Sequence, residues 1–288
     1  MARVGFCGLG VMGAPMAGHL ASAGHSVSVY NRTPSRALEW VAAHGHQAFP
    51  TPAEVAAGSD VVFLCVGNDD DVRQVILGEN GILDGAHDGL IVVDHTTTSA
   101  TLARDMYESC AAHGVVFLDA PVSGGQAGAQ GGTLTVMCGS VSVDEFTAVA
   151  TIIAAYSRSC VRLGGIGSGQ LTKMVNQICI AGLVQALSEG VAFAEHAGLD
   201  AHAVIDVISQ GAAQSWQMQN RGHTMVDGQF DFGFAVEWMV KDLKYVVEEA
   251  RRNGSTIPVT QTVLGFYEEL VQDGDGRKDT SSLIRRLV

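Results

Sequence analysis

The chain has 288 residues, of which 47% are hydrophobic and 16% are charged, so it is long enough for about two globular domains and too apolar for a disordered protein. Its net charge of −13 excludes nucleic acid and anionic membranes as electrostatic partners. The six cysteines are scattered without metal-ligand or disulfide spacing, so we expect free thiols, no metal site and a cytoplasmic protein. We also expect no signal peptide and no membrane span.

The first 30 residues follow the order strand, glycine-rich loop, helix and strand. Apolar runs at 3–7 and 26–30 flank a helical pattern at 14–23. The intervening loop consists of Gly8, Leu9, Gly10, Val11, Met12 and Gly13. In this context the glycines predict a dinucleotide site: Gly8 permits a tight turn, Gly10 lets a pyrophosphate approach, and Gly13 lets the helix pack on the strand. Backbone N–H groups at the helix start would face the phosphates.

The end of the second strand bears on which dinucleotide binds. A carboxylate usually stands there when NAD is preferred, but the sequence has Asn31, Arg32 and Thr33. A guanidinium pairs well with a 2′-phosphate, so we predict that NADP(H) is preferred and NAD(H) is possible. The alternative is that Arg32 is a surface residue before a helix that Thr33 caps and Pro34 begins.

The alternation of strands and helices then continues. Helical patterns at 34–44 and from Thr51-Pro52 precede an apolar run at 60–66, which is typical of a strand buried on both faces. Ligands bind beyond the carboxyl ends of parallel strands, so Val66, Gly67 and Asn68 are expected to line the cofactor crevice, with Asp69 as a helix cap. The next strand, 90–93, leads to His95 and Thr97. A lone histidine without a placed carboxylate is more often structural or exposed than catalytic.

A helix at 100–113 and a strand at 115–118 lead into a glycine-rich loop that starts at Asp119. Its backbone N–H groups and the Ser123 hydroxyl, with Gly124 and Gly125, are suited to hold a carboxylate; the alternative is a flexible connection. Strands at 133–138 and 159–163 flank a helix at 143–153. The fold class is therefore α/β, with a Rossmann-type doubly wound parallel sheet, and we place the domain boundary between residues 164 and 165.

One long helix is predicted from Gly167 to Gly198, with Ser168 as a possible cap, and it would join the two domains. Lys173 and Asn176 lie three apart near its start, so they share a face and can present an ammonium and a carboxamide to one ligand. The alternative is a solvated lysine beside a surface asparagine. The remaining chain is predicted to be all-helical, at 200–210, 215–226, 237–253, 258–273 and 280–287. The charged run 241–244 is by default a solvated face, and we expect a homodimer or homotetramer.

Four motifs in order resemble the β-hydroxyacid dehydrogenases, which include 3-hydroxyisobutyrate dehydrogenase: GLGVMGAPMAGHL at 8–20, DAPVSGGQAGAQGGTL at 119–134, GSGQLTKMVNQ at 167–177 and KDL at 241–243. The resemblance covers nearly the whole chain and is closest to glyoxylate and succinic semialdehyde reductases. It implies that Lys173 is the catalytic lysine and that Asn176 and Ser123 assist it. It also implies which residues bind the substrate and which contact the cofactor. The implied substrate residues are Ser123, Gly124, Gly125, Lys173, Asn176, Thr97, Phe232 and Asp242, and the implied cofactor contacts include Thr97 and Lys241.

The chemistry of these residue types agrees with the resemblance. Hydride transfer to a carbonyl carbon builds negative charge on the oxygen, which an ammonium stabilises and protonates. We therefore expect an NADP(H)-linked reductase of short carboxylate-bearing semialdehydes or of glyoxylate. Trp216, Phe232, Phe234 and Trp238 are candidates to shape the pocket. Two alternatives stay open: an imine reductase, which usually lacks this lysine, and a non-catalytic NADP-binding or assembly protein.

Overall fold

The computed structural model describes residues 1–288 and divides into two compact units, 1–173 and 174–288. The sequence-based boundary after residue 164 precedes the long helix, whereas the division between compact units falls inside that helix. Each unit has its own hydrophobic core, because each contains its own buried apolar cluster.

A nine-stranded sheet forms the first unit. Its first six strands are β1 (Arg3–Cys7), β2 (Ser26–Tyr30), β3 (Gln47–Ala48), β4 (Val61–Leu64), β5 (Ile91–Asp94) and β6 (Val116–Asp119). They are parallel and lie in the order β3-β2-β1-β4-β5-β6. The predicted Rossmann-type parallel sheet is thus confirmed, and the carboxyl ends of β1, β4, β5 and β6 lie along one edge.

The last three strands depart from a purely parallel sheet. They are β7 (Val122–Ser123), β8 (Leu134–Gly139) and β9 (Ser157–Gly164). β8 is antiparallel to β6 and β7 and parallel to β9. The two-residue strands β3 and β7 were not predicted, since so short a segment carries no readable alternation of side chains.

Seven α-helices cover the sheet: α1 (Gly13–Ser22), α2 (Pro34–His44), α3 (Pro52–Ala57), α4 (Asp69–Leu77), α5 (Ala100–Ala111), α6 (Gly125–Gln130) and α7 (Val143–Ile153). A short 3-10 helix spans Ile82–Gly85. Successive β4 residues belong to different cores: Val61 and Phe63 to one, Val62 and Leu64 to the other. Because strand side chains alternate between faces, both faces of the sheet are covered.

Two local expectations in this unit were wrong, and a third, for Thr33, was confirmed only in position. Asn68, not Asp69, caps α4, because the Asn68 side chain accepts from the Asp71 N–H at 2.9 Å. Thr33 stands at the N-cap of α2, but its side chain makes no capping hydrogen bond. The segment after Asp119 is not an open glycine loop throughout, since it contains β7 and the six-residue helix α6.

The second unit is helical. The long helix α8 (Ser168–His196) enters it and is followed by α9 (Ala201–Ile208), α10 (Trp216–Val226), α11 (Val236–Asn253) and α12 (Pro258–Gln272). The final predicted helix is a 3-10 helix, Thr280–Arg286. Asp200 and Ser215 cap α9 and α10. Gly198, whose φ is +71°, lies just beyond α8 at the stop we predicted, because a left-handed residue ends a helix readily.

α8 is the one helix that is long and apolar enough to cross a membrane by length and composition. It has the required length and a mean hydropathy of 1.4 over an 18-residue window, and half of that window is buried inside the protein. Gln177, Gln185 and Ser188 are among its buried side chains, and each of them makes a hydrogen bond. Buried and hydrogen-bonded polar groups are features of a helix that packs in a protein core.

Candidate active site

The glycine loop between β1 and α1 has the shape that a dinucleotide requires. Gly8 has a φ of +100°, and a Cβ there would lie 2.3 Å from the Cys65 carbonyl oxygen. A Cβ at Gly13 would lie 1.9 Å from the Gly8 carbonyl oxygen, whereas one at Gly10 would have no atom within 4 Å. Gly8 and Gly13 are thus required by the fold. The open space beside Gly10 fits a pyrophosphate that approaches the backbone.

Leu9, Val11 and Met12 complete this loop. Leu9 is buried and Val11 is 54% exposed. The side-chain oxygen of Asn31, at the end of β2, accepts from the Leu9 N–H at 2.8 Å, and its amide nitrogen donates to the Thr33 carbonyl at 3.0 Å. Asn31 therefore holds the loop and the β2 end together. The sequence did not reveal this role.

Arg32 lies beside the loop on the solvent side, with 82% of its side chain exposed. Its guanidinium pairs with Asp71 of α4 at 2.7 Å. Although β2 ends without an acidic residue, the fold therefore brings the Asp71 carboxylate to this region. Asp71 competes with any phosphate for the same N–H groups.

The ends of β4 and β5 meet behind the glycine loop. The Val66 N–H donates to the Thr96 hydroxyl at 3.0 Å, and the Asn68 side chain caps α4. Val66, Gly67, Asn68 and Thr97 are all partly exposed. The first unit thus brings the predicted crevice residues to the carboxyl edge of the parallel sheet.

His95 is structural, as the sequence favoured. It is 1% exposed, its Nδ1 is 2.6 Å from the Ala120 carbonyl oxygen, its Nε2 is 2.8 Å from the Tyr156 hydroxyl, and its ring stacks on Phe63. Burial lowers the pKa of His95 to about 4, so the ring is neutral at physiological pH.

Two carboxylates end neighbouring strands, since Asp94 and Asp119 are paired in the β5–β6 register. Burial is the main cause that raises the pKa of Asp94 to about 7 and that of Asp119 to about 6. One Asp94 oxygen accepts from the Thr96 N–H at 2.8 Å, and the other is buried without a hydrogen bond. A role for either residue was not predicted from the sequence.

The Ser123-Gly124-Gly125 segment joins β7 to α6. Ser123 is partly exposed, and the two glycines are exposed with φ values of +132° and +61°. A Cβ at Gly125 would meet nothing within 4 Å, so the space beside this backbone is open. The positive φ values explain why glycine stands at both positions.

Lys173 ends the first unit and lies near the start of α8. Its side chain is buried, with 8% of its surface exposed. This contradicts the alternative of a solvated lysine. A buried ammonium interacts with nearby charge more strongly than an exposed one, because water screens it less.

Within the second unit, four polar side chains form a chain of contacts. The Asn176 amide donates to the Gln177 carbonyl oxygen at 2.8 Å, and the Gln177 amide donates to Asp242 at 2.6 Å. Asp242 is 3% exposed and pairs with Lys241 at 3.1 Å. The default solvated face is therefore wrong for Asp242, whereas Lys244 is 56% exposed. Gln177 was missed, and its only signal was its place beside Asn176.

The four candidate pocket aromatics do not form one set of contacts. Arg221 lies 4.2 Å from the Phe232 ring centre and 5.4 Å from that of Trp216. Trp238 instead lies beside Lys241, whose Nζ is 5.9 Å from the ring centre. Phe234 accepts from the Thr280 N–H through its backbone. Phe232 also lines a cavity of about 580 Å³ in the second unit.

Two family models cover almost the entire chain. Residues 3–165 match the NAD-binding domain of 6-phosphogluconate dehydrogenase, and residues 167–287 match the NAD-binding domain of NADP-dependent 3-hydroxyisobutyrate dehydrogenase. The chain belongs to the β-hydroxyacid dehydrogenase family. This β-hydroxyacid dehydrogenase is an NAD(P)-dependent enzyme that acts on a small molecule.

Relatives of this β-hydroxyacid dehydrogenase match over nearly their full length. An uncharacterized oxidoreductase of Shewanella frigidimarina is 58% identical, over 100% of this chain and 98% of the relative. The 2-hydroxy-3-oxopropionate reductase of Escherichia coli is 32% identical, over 99% and 97%. Among solved structures, Mycobacterium tuberculosis 3-hydroxyisobutyrate dehydrogenase with L-serine has a TM-score of 0.89 at 30% identity, over 100% of this chain and 99% of that one.

Proposed function

We propose that the protein is an NADP(H)-dependent reductase of a short aldehyde that carries a carboxylate, such as a semialdehyde or the 2-oxo acid glyoxylate. The observation that carries the proposal is the buried ammonium of Lys173 on α8. The name of the Escherichia coli relative, 2-hydroxy-3-oxopropionate reductase, supports a three-carbon semialdehyde acid as a first substrate to test.

The nicotinamide, when bound, supplies or accepts the hydride. Lys173 stabilises the negative charge that builds on the carbonyl oxygen and donates a proton to it; in the reverse direction, neutral Lys173 takes the alcohol proton. The Ser123 hydroxyl and the N–H groups of Gly124 and Gly125 bind the substrate carboxylate. Asn176 orients the substrate, and its hydrogen bond with Gln177 fixes the carboxamide. Phe232 and Asp242 are the further substrate residues in this proposal, as the family resemblance implies.

The glycine loop from Gly8 to Gly13 and the strand-end residues Val66, Gly67, Asn68 and Thr97 hold the dinucleotide in this proposal, with Lys241 as a further contact. Arg32 binds the 2′-phosphate after it leaves Asp71, which gives NADP(H) its advantage over NAD(H). An ion pair with one partner 82% exposed is worth about 1 kcal/mol or less, so its loss is a small cost.

The proposed function is tested by an absorbance assay. Purified protein is mixed with NADPH or NADH and with glyoxylate, 2-hydroxy-3-oxopropionate, succinic semialdehyde and methylmalonate semialdehyde. Oxidation of NADPH with at least one of them is expected, together with slower oxidation of NADH. No turnover with any member of the panel contradicts the proposal.

Two other functions predict different results when cyclic imines are added to the panel and NADPH binding is also measured. An imine reductase reduces cyclic imines in preference to semialdehydes, and Lys173 counts against it. A non-catalytic NADP-binding or assembly protein binds NADPH, as measured by its fluorescence, without oxidising it. The intact Lys173 and Ser123-Gly124-Gly125 segment count against that function.

We further propose a cytoplasmic homodimer, with a homotetramer as the alternative. An apolar face of α8 supports this assembly, because Val175 is 59% exposed, Phe193 is 74% exposed, and Cys179, Ala186 and Gly190 lie exposed between them. These positions recur at helical spacing, and Glu189 is the one charged residue exposed among them; a mainly apolar exposed face of this kind is typical of a helix that pairs with another copy.

A further inference from the structure

The start of α8 is held by a buried carboxylate at the end of β6. One oxygen of Asp119 accepts from the Gly167 N–H at 2.8 Å, and the other accepts from the Gln170 N–H at 2.9 Å. Asp119 is 0% exposed. A helix start has N–H groups without partners in the helix and a partial positive charge, so an anion there is doubly favourable.

A second contact ties the same turn to the loop after β5. The Gln170 side-chain oxygen accepts from the Thr98 N–H at 3.0 Å, and its amide nitrogen donates to the Thr96 carbonyl at 2.8 Å. Gln170 is also 0% exposed. Its side chain therefore hydrogen-bonds the backbone on both sides of Thr97, which the proposed function places at the substrate and the cofactor.

The first turn of α8 packs closely against the neighbouring strands. A Cβ at Gly169 would lie 2.4 Å from the Met137 carbonyl oxygen and 2.7 Å from that of Asp119. A Cβ at Gly139 would lie 2.3 Å from the Asp119 carboxylate. The backbone of the first turn of α8 therefore packs directly against β6 and β8, which fixes the position of this turn within the first unit.

Lys173 follows Gln170 by three residues, so the two side chains project from the same side of the helix, one turn apart. We propose that Asp119 and Gln170 are positioning residues, which hold α8 so that the Lys173 ammonium meets the carbonyl oxygen of the substrate. This proposal rests on the proposed function of Lys173. A displacement of about 1 Å at a reacting group can cost about 100-fold in rate.

The test is a double-mutant cycle measured by single turnover with enzyme in excess, so that slow rates are measurable. Asp119→Asn keeps the shape but places an N–H donor against donors, and Gln170→Met keeps the length but makes neither hydrogen bond. Each change is expected to slow hydride transfer by about 10- to 100-fold in the parent enzyme. In a Lys173→Ala background each should slow it little, because the ammonium being positioned is gone.

A matched control separates positioning from stability. Ser142 caps α7 in the same unit through a capping box, so Ser142→Ala also removes a helix cap. It should lower the melting temperature without slowing hydride transfer. Hydride transfer is measured at saturating NADPH, so that weaker cofactor binding caused by a shift of Thr97 in Gln170→Met does not enter the rate.

Three results overturn the inference: unchanged hydride transfer in both Asp119→Asn and Gln170→Met, equal losses with and without Lys173, or an equal loss in Ser142→Ala. If Asp119→Asn does not fold, Gln170→Met decides alone. Failure of the proposed function looks different, since Lys173→Ala itself would then react as fast as the parent.

Discussion

Among single side chains, Arg32 illustrates which features of the cofactor site can be predicted from the sequence and which cannot. The missing carboxylate at the end of β2 can be read directly from Asn31. The pairing of Arg32 with Asp71 cannot, because the partner is 39 residues away and is brought there by the fold of β4 and α4. The proposed phosphate contact therefore has a competitor that local sequence does not reveal.

We expect Arg32→Asp to raise the KM for NADPH by about 10-fold or more and to leave the KM for NADH unchanged or lower, because a 2′-phosphate loses a charge-assisted partner. Asp71→Asn is the matched variant: it frees Arg32 and should lower the KM for NADPH. Steady-state kinetics with both cofactors measure this. An unchanged preference in Arg32→Asp removes the phosphate contact from the account.

His95 carries a prediction about pH. Burial lowers its pKa from an ordinary value of 6.5 to about 4 in the folded protein. Below pH 6.5 the unfolded chain therefore binds a proton at His95 that the folded protein does not bind. The stability linked to His95 is present above pH 6.5 and is lost as the pH falls toward 4.

Between pH 7 and pH 5, the parent should therefore lose about 2 kcal/mol of unfolding free energy relative to His95→Gln, which has no such proton to bind. Urea denaturation of both proteins at each pH measures the difference. A gap between parent and variant that is the same at pH 7 and pH 5 would show that the pKa of His95 is not lowered in the folded protein.

Secondary-structure elements were readable where their sequences are long and regular. α2 was predicted with its exact bounds, since Pro34 starts it and the left-handed Gly45 follows His44. β7 and α6 were not, because two and six residues carry no period. The glycine loop lies between these cases: its spacing predicts a ligand, but only the fold shows which glycine serves packing and which serves binding.

That division predicts opposite effects in one loop. Gly13→Ala should destabilise the protein without cofactor, because its Cβ would lie 1.9 Å from the Gly8 carbonyl oxygen. Gly10→Ala should leave the melting temperature nearly unchanged and weaken NADPH binding, because its Cβ would project into open space. Thermal melts with and without NADPH distinguish the two. Equal loss of stability in both variants would show that Gly10 serves packing as well.

At the level of the entire chain, ordered motifs predicted the family correctly, whereas the polar links depended on the fold. Asp119 reaches Gly167 across 48 residues, and Gln177 reaches Asp242 across 65. Neither pair can be predicted from the spacing of its residues, because a hydrogen bond between distant segments depends on how the intervening helices and strands fold. Composition likewise could not show that α8 leaves an apolar face exposed.

If that face joins two copies, Phe193→Glu should shift the protein toward the monomer, because a charge at a 74% exposed apolar position would be buried in the contact. Light scattering after size-exclusion chromatography gives the mass directly. Leu38→Glu is the control, since Leu38 is 64% exposed on α2 in the other unit. A parent protein that is already a monomer contradicts the proposed assembly.

The proposed activity depends on the buried ammonium of Lys173, which transfers the proton in the reaction. The most direct measurement compares NADPH oxidation by the parent, Lys173→Ala and the control Lys244→Ala, at saturating substrate. Loss of general acid catalysis should lower kcat of Lys173→Ala by about 10²- to 10⁴-fold, while Lys244→Ala, which removes a lysine that is 56% exposed, should match the parent. A Lys173→Ala enzyme that turns over as fast as the parent would contradict the account.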